Sequence, residues 1–347
     1  MIRRSFAPRR EIIPGRTIAD VRIRSPRPAG RRMTGGRCMF ANRIYNADAR
    51  NMSFIPDGVV DLVVTSPPYN VGKNYATHDD CLSMEEYLDL LEQVWRECYR
   101  VLAPGGRIAI NVAGVDRKPY LPLHAYITLQ MIRLGFQMRG EIIWNKGASV
   151  GVSTAWGSWC SPSNPTLRDL HEYILVFSKE DWRMGHRGET DLTPEEFVTY
   201  TKSIWEFPTV SAKKVGHPAP FPLELPSRLI KLYTYKGDLV LDPFNGSGTT
   251  CQAAALLGRR WIGVDIDPGY CALAEKNMPP WWTAQAEPGS APPRAWPGPD
   301  VGRGGDDGRP TDPVSAAGLA CAGARAVADA LDRLPQPASG GPAGAAA

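Results

Sequence analysis

Short apolar runs that end in turn-forming residues alternate along this chain with longer segments of helical apolar spacing, and this alternation restricts the fold most. Val60–Val64 is β-branched and runs into Thr65-Ser66-Pro67-Pro68. Ser83 with Glu86 three residues on forms a capping box, followed by apolar Tyr87, Leu91, Val94, Trp95, Cys98 and Leu102 at helical spacing. Pro104-Gly105-Gly106 should stop that helix before a strand at Arg107–Val112. Further strands are expected at Glu141–Trp144, His171–Ser178, Leu239–Leu241 and Trp261–Val264. Helices are expected at Leu123–Leu134, Leu223–Tyr233, Thr250–Leu257 and Gly269–Asn277. Strands alternating with helices imply an α/β fold, a doubly wound and mostly parallel sheet covered on both faces.

The sequence divides into three parts. Residues 1–38 form an Arg-rich arm, with eleven Arg before position 38 against Glu11 and Asp20. It has no apolar core of a secretory leader, and no stretch approaches the roughly 20 apolar residues of a membrane span. The folded domain is expected over 39–277. From Pro279 on the chain is rich in Pro, Gly and Ala, and 278–347 reads as a tail without a packed core. The net charge of +4 says little about partners. The seven Cys form no Cys-x-x-Cys pair, which suits reduced, packed thiols of a cytoplasmic protein and assigns no metal site.

Two turns carry chemistry. Asp242-Pro243-Phe244-Asn245-Gly246-Ser247-Gly248-Thr249-Thr250 closes one strand and opens a helix, and Asp265 ends the next strand. Gly246 and Gly248 let the backbone turn tightly and approach a ligand, and a carboxylate at Asp265 is placed to hold ribose hydroxyls. A pyrophosphate would be repelled by Asp242 ahead of the glycines, and no Gly-Lys-Ser/Thr follows. The ligand implied is a nucleoside with a cationic tail, which S-adenosylmethionine satisfies. In the second turn, Thr65-Ser66-Pro67-Pro68-Tyr69-Asn70, two prolines stiffen the backbone and remove two N–H donors. Ser66 and the carbonyl of Pro67 would accept from a planar amine while Tyr69 stacks on its ring. A plain Pro-rich turn closing a strand is the competing reading.

These motifs resemble the amino-methylating DNA methyltransferases of the circularly permuted β group, in which the catalytic half precedes the cofactor half. The resemblance runs from Arg43 to Asn277 and includes Arg100–Gly106, Ile143–Lys146, His171–Ile174, His217–Pro222, Asp242–Thr250 and Gly263–Asp267. It implies a Rossmann-like fold in which Arg43–Ala47 adds the strand missing after Asn277. It also implies that Asp242, Phe244, Gly246 and Gly248 wrap the methionine end of S-adenosylmethionine, that Asp265 holds the ribose, and that Asp48 lies by the adenine. Phe221 and Pro222 would complete the pocket wall. Ser66, Pro67, Pro68 and Tyr69 would hold a target base flipped out of double-stranded DNA.

Serine at the first motif position resembles the cytosine-N4 enzymes, where adenine-N6 enzymes more often carry Asp or Asn; adenine stays as the alternative. Methylation at a ring carbon would need a thiolate, and none of the Cys follows a Pro as in that family. The resemblance further implies a restriction endonuclease as companion and a monomer or homodimer. Val71–Cys81, with Lys73, Asn74, Tyr75 and His78, is a candidate to close over the base. Target recognition falls on about 179–216, with Trp182, Arg183, His186, Arg187, Lys202, Trp205, Lys213 and Lys214; Trp156 and Trp159 are ambiguous. His124 and His171 read as packed structural residues. An RNA or protein-amide methyltransferase, and a non-catalytic DNA-binding relative, remain as readings from other classes.

Overall fold

The computed structural model describes residues 40–69, 82–115, 120–147, 157–167, 169–210 and 221–280. The Arg-rich arm, the segment 70–81, Trp156, Lys213, Lys214, the His217–Pro220 stretch and the tail beyond 280 lie outside the described residues. Among the described residues, no helix is long and apolar enough to cross a membrane.

Eight strands form one sheet: β1 (Arg43–Asn46), β2 (Val60–Thr65), β3 (Leu102–Val112), β4 (Phe136–Asn145), β5 (His171–Lys179), β6 (Ile204–Glu206), β7 (Leu239–Asp242) and β8 (Arg260–Asp265). Their order is β1-β8-β7-β2-β3-β5-β4-β6. Neighbours run parallel except β5, which is antiparallel to both β3 and β4. Among the described residues six helices accompany them: α1 (Met84–Val101), α2 (Leu123–Arg133), α3 (Pro194–Tyr200), α4 (Glu224–Tyr233), α5 (Thr249–Leu256) and α6 (Pro268–Asn277). The chain leaves β2 in one direction, through α1 to β3, and leaves β7 in the other, through α5 to β8. The boundary between β2 and β7 is therefore the switch point of the sheet, where such folds open a crevice at the carboxyl ends of the strands.

Period-two alternation sorts the strand residues onto two buried faces. Val63, Ile108, Ile110, Leu175, Phe177, Leu241 and Val264 pack with Tyr87, Leu91, Trp95 and Cys98 of α1 and with α2. Leu62, Val64, Ala109, Ile174, Val176, Val240 and Trp261 pack on the opposite face with α4 and α5. β2 is buried at all six positions because both faces are covered. β1 supplies the outer strand beside β8, with Asn46 opposite Asp265.

The α1–β3 boundary, β4, α3 and β6 differ from the sequence reading. The helix after Ser83 ends at Val101, and Pro104-Gly105-Gly106 lies within β3. Val60 pairs with Leu102 but Leu62 pairs with Arg107, so the Pro-Gly-Gly is absorbed as an irregularity in the strand. β4 is ten residues long where four were legible, because Gln137, Arg139 and Gly140 break the apolar pattern ahead of Glu141 while β5 pairs along the strand. α3 and β6 were missed. No residue of α3 is buried, so it has no apolar stripe to read, although its Thr193–Glu196 capping box was visible.

At the sheet end away from the switch-point crevice, the segment after β5 is clamped to the strands. His186 Nε2 lies 3.1 Å from both carboxylate oxygens of Asp238, and its Nδ1 lies 3.9 Å from Asp61. Asp61 and Asp238 also accept the amides of Leu239 and Tyr235, so this trio works as a hydrogen-bonded clamp. Arg259, whose side chain is fully buried, forks onto Asp191 at 2.7 Å through both terminal nitrogens.

The Ser83 hydroxyl accepts the Glu86 amide while Glu86 accepts the Ser83 amide, closing the box at the start of α1. Ser83→Ala should lower unfolding free energy by about 1 kcal/mol. Removing the exposed Glu92–Arg96 pair on the same helix should change it by less than about 0.5 kcal/mol. Urea titrations of the two variants check the ranking, and a larger loss from Glu92→Ala would contradict it.

Candidate active site

The ends of β2 and β7 are joined by one buried hydrogen bond: Thr65 Oγ1 donates to Asp242 Oδ1 at 2.7 Å. The same oxygen accepts the Phe244 amide at 3.1 Å. Thr250, at the start of α5, adds its hydroxyl to the Asp242 carboxylate and also reaches the Val64 carbonyl at 3.3 Å. Asp242 is 1% exposed, and burial raises its pKa to about 6 against the hydrogen bonds that lower it. Its first role is thus to pin the two turns to each other.

The glycine-bearing turn then crosses to β8. The Asn245 amide donates to the Val264 carbonyl at 3.0 Å, and the Gly246 amide donates to Asp265 Oδ2 at 2.7 Å. Asp265 Oδ1 accepts the Asp267 amide at 2.9 Å. Burial raises the Asp265 pKa, with those two amides opposing. Gly248 sits at φ 82° as the cap of α5, and a Cβ there would stand 2.9 Å from the Ala274 Cβ on α6. Its glycine therefore serves helix packing. Gly263 is required for a similar reason, since a Cβ would meet the Asn245 side chain at 2.5 Å.

The proline-stiffened turn is braced from four elements. Tyr87 of α1 donates to the Pro68 carbonyl at 2.5 Å. The Ser66 and Tyr69 hydroxyls are 3.2 Å apart, and Tyr69 donates to Glu172 Oε2 at 3.4 Å. Asn111 Nδ2 from β3 donates to the same oxygen at 2.6 Å, and Lys146, just past β4, donates to Glu172 Oε1 at 2.6 Å. Burial and the Glu172 charge push the Tyr69 phenol well above its usual range, so it stays protonated. Glu172, Asn111 and Lys146 were not singled out as site residues. Asn111 and Glu172 lie on β3 and β5 and Lys146 just after β4, and only the order of these strands gathers them behind Tyr69.

The two turns line one cleft of about 440 Å³, with Ser66, Pro67, Pro68 and Tyr69 on one side and Pro243, Phe244, Gly246 and Asp265 on the other. That is ample for a cofactor-sized ligand. Leu90, Val94, Ile266 and Tyr270 give it apolar walls, and Asp48 stands at its edge in a forked pair with Arg50. A nucleoside with a cationic tail fits this donor set. Asp265 offers carboxylate oxygens to hydroxyls, the apolar walls accept a planar ring, and the wall carries acidic groups.

Not every expected site residue reaches the cleft. Phe221 and Pro222 do not line it; Phe221 packs against the apolar cluster on the opposite face of the sheet. Asp242 acts from behind the wall, and Gly248 stands at the helix junction. In the segment expected to read the target, Trp205 is core at 1% exposure while Trp182 is 52% exposed. Lys179 is buried and donates to the Leu102 carbonyl at 2.8 Å. Trp159 is exposed, and His124 stacks on Tyr173 with ring centres 3.9 Å apart while His171 meets the same ring edge-on. Cys251, in the turn itself, is buried, and burial raises its thiol pKa well above normal.

Residues 60–276 match the N6/N4 methylase family model, described as DNA methylase. The Type II methyltransferase M.MjaVI of Methanocaldococcus jannaschii is 38% identical over 173 residues, covering 50% of this chain and 88% of that protein. M.MthZI of Methanothermobacter thermautotrophicus, another Type II methyltransferase, is 32% identical over 271 residues, covering 68% and 76%. Among solved structures, a protein of Thermus thermophilus described as a putative DNA modification methylase, complexed with S-adenosyl-L-methionine, is 36% identical with a TM-score of 0.52. The match covers 67% of this chain and 93% of that one.

The raised pKa of Asp242 has a testable sign. A carboxyl whose folded value lies above its unfolded value near 3.8 stabilises the fold fully below that value, and the contribution is lost as pH rises through about 6. Wild type should therefore lose up to about 3 kcal/mol through this group between about pH 4 and pH 7. Asp242→Asn should lack that part of the slope. Urea unfolding across this window checks it; identical slopes would mean that Asp242 ionises without penalty.

Proposed function

The chain belongs to the N6/N4 DNA methylase family, and from that premise we propose that it methylates the exocyclic N4 of cytosine at a defined sequence in double-stranded DNA. The observation that carries this reading is the shared cleft: the Ser-Pro-Pro-Tyr turn and the Asp265-lined turn face one cavity, pinned together by Thr65 and Asp242. What supports cytosine is Ser66 at the position where adenine-N6 enzymes more often carry Asp or Asn.

S-adenosylmethionine is the methyl donor; when bound, it supplies an electrophilic methyl on a sulfonium whose bond electrons leave with sulfur as a neutral thioether. Asp265 would take the ribose hydroxyls, with its orientation set by the Gly246 and Asp267 amides. Phe244 and the apolar residues of α1 would wall the donor's side of the cleft. On the substrate side, the target base is flipped from the duplex into the cup formed by Ser66–Tyr69.

The amino nitrogen of the base is conjugated into its ring and is a poor nucleophile. Ser66 and the Pro67 carbonyl accept its hydrogens, drawing them out of the ring plane and freeing the lone pair for in-line attack. Tyr69 stays a neutral phenol and offers its ring, held by Glu172. The amino proton becomes acidic only as the new N–C bond forms, so solvent removes it and no strong base is needed. Positioning supplies most of the acceleration.

Nucleoside mass spectrometry of DNA from cells expressing the gene should reveal N4-methylcytosine. N6-methyladenine in its place would transfer the reading to adenine, and labelling of RNA or protein by the purified chain would remove DNA as the substrate. The two halves of the cleft should separate by mutation. Asp265→Ala should weaken cofactor binding by about 10- to 100-fold, the loss of one or two charge-assisted hydrogen bonds. Tyr69→Ala should leave that affinity nearly unchanged while lowering kcat by about 100-fold or more. Calorimetry and turnover assays distinguish the two, and reversed phenotypes would mean the pockets are exchanged.

A further inference from the structure

A second groove, of about 820 Å³, is lined by Arg107 of β3, Arg139 of β4, the segment after β5, and residues of α3 and the end of α4, and shares no lining residue with the catalytic cleft. Its charged lining includes Arg107, Arg139, Arg183, Arg187 and Lys231, and among the described residues no Asp or Glu lines it. Lys231 is neutralised by Glu196, with 2.5 Å between the charged atoms. The four arginines have no carboxylate partner among the described residues. Arg107 is 8% exposed; its Nη1 donates to the Gly105 carbonyl at 2.6 Å, and its Nε has no partner. Arg139 donates to the Trp182 carbonyl at 2.8 Å, and its guanidinium lies 4.2 Å from the Trp182 ring centre.

Arg107 and Arg139 repel each other without a counter-charge, exposed Arg183 and Arg187 add further positive charge to the same groove, and a buried arginine satisfied only by carbonyls bears the cost of desolvation without an ion pair. Burial and the charge of Arg139 both hold the Arg107 pKa below its usual value, the direction expected of unneutralised neighbours. The chain keeps the cluster although its overall net charge is small. A bound anion removes the repulsion, and the planar fork of arginine matches phosphate oxygens best. The groove far exceeds the volume of one phosphate, and the exposed Trp182 ring at its wall adds a flat surface for a base.

We propose that this groove is a second binding site, for the phosphate of a nucleotide unit, either free or within a nucleic-acid strand. It is separate from the methyl-transfer cleft and does not rest on which base is methylated. In the full-length chain, isothermal titration with inorganic pyrophosphate should show saturable binding to wild type. The double variant Arg183→Ala/Arg187→Ala, which changes only exposed side chains, should bind pyrophosphate at least about tenfold more weakly. Arg139→Ala should weaken it in the same direction, and unchanged S-adenosylmethionine binding by all variants would establish that they are folded. Short duplex DNA without a target site supplies the second arm. Competition between duplex and pyrophosphate assigns the site to strand phosphates, and lack of competition assigns it to free nucleotides. Equal pyrophosphate affinity in wild type and variants, or no saturable binding to wild type, would overturn the proposal.

Discussion

The hydrogen bond from Thr65 to Asp242 joins residues 177 positions apart in the chain, and the rest of the site depends on it. β2 and β7 diverge in connectivity at this boundary, so lateral pairing, this bond and the Thr250 hydroxyl on the Val64 carbonyl hold their tips in register. Asp242 is kept as an acceptor in a buried site where ionisation is disfavoured. The cost is offset by two hydroxyls and an amide converging on one carboxylate. Because both turns start at these tips, their ligands are held within reach of each other by the scaffold.

The sheet then distributes the remaining work. Parallel strands on the β7 side deliver Asp265 and the Gly246 amide to one half of the cleft. On the other side, reversal of β5 between β3 and β4 brings Glu172 beside Asn111 and Lys146, since the start of β5 lies level with the ends of its neighbours. Glu172 then holds the Tyr69 hydroxyl. An all-parallel sheet would have put the start of β5 at the opposite end, and Tyr69 would have lost its anchor.

Much of the fold was legible because its elements carry local signals. The Ser83–Glu86 box, the apolar spacing of α1 and the β-branched run of β2 are readable within a dozen residues, and each appears where expected. The two turns were legible because proline and glycine are there for backbone reasons. What stayed hidden was surface or long-range. α3 has no buried residue, β4 has a broken apolar pattern, and Glu172 looks like any charged strand residue until its neighbours are known. Phe221 shows the converse, since adjacency to a motif did not decide which face of the sheet its side chain would join.

By itself the sequence determined most of the element types and the two turns, because periodicity, caps and Pro/Gly chemistry act over a few residues; that a strand from the N-terminal side finishes the sheet was implied by the family resemblance. Tertiary structure alone decided that Asp242 pins the turns from behind the cleft wall, that Gly248 serves the contact with Ala274, and that Glu172 reaches Tyr69. Those roles depend on which strands lie side by side and in which direction. Strand order follows from crossovers and burial over more than a hundred residues, where local spacing carries no information.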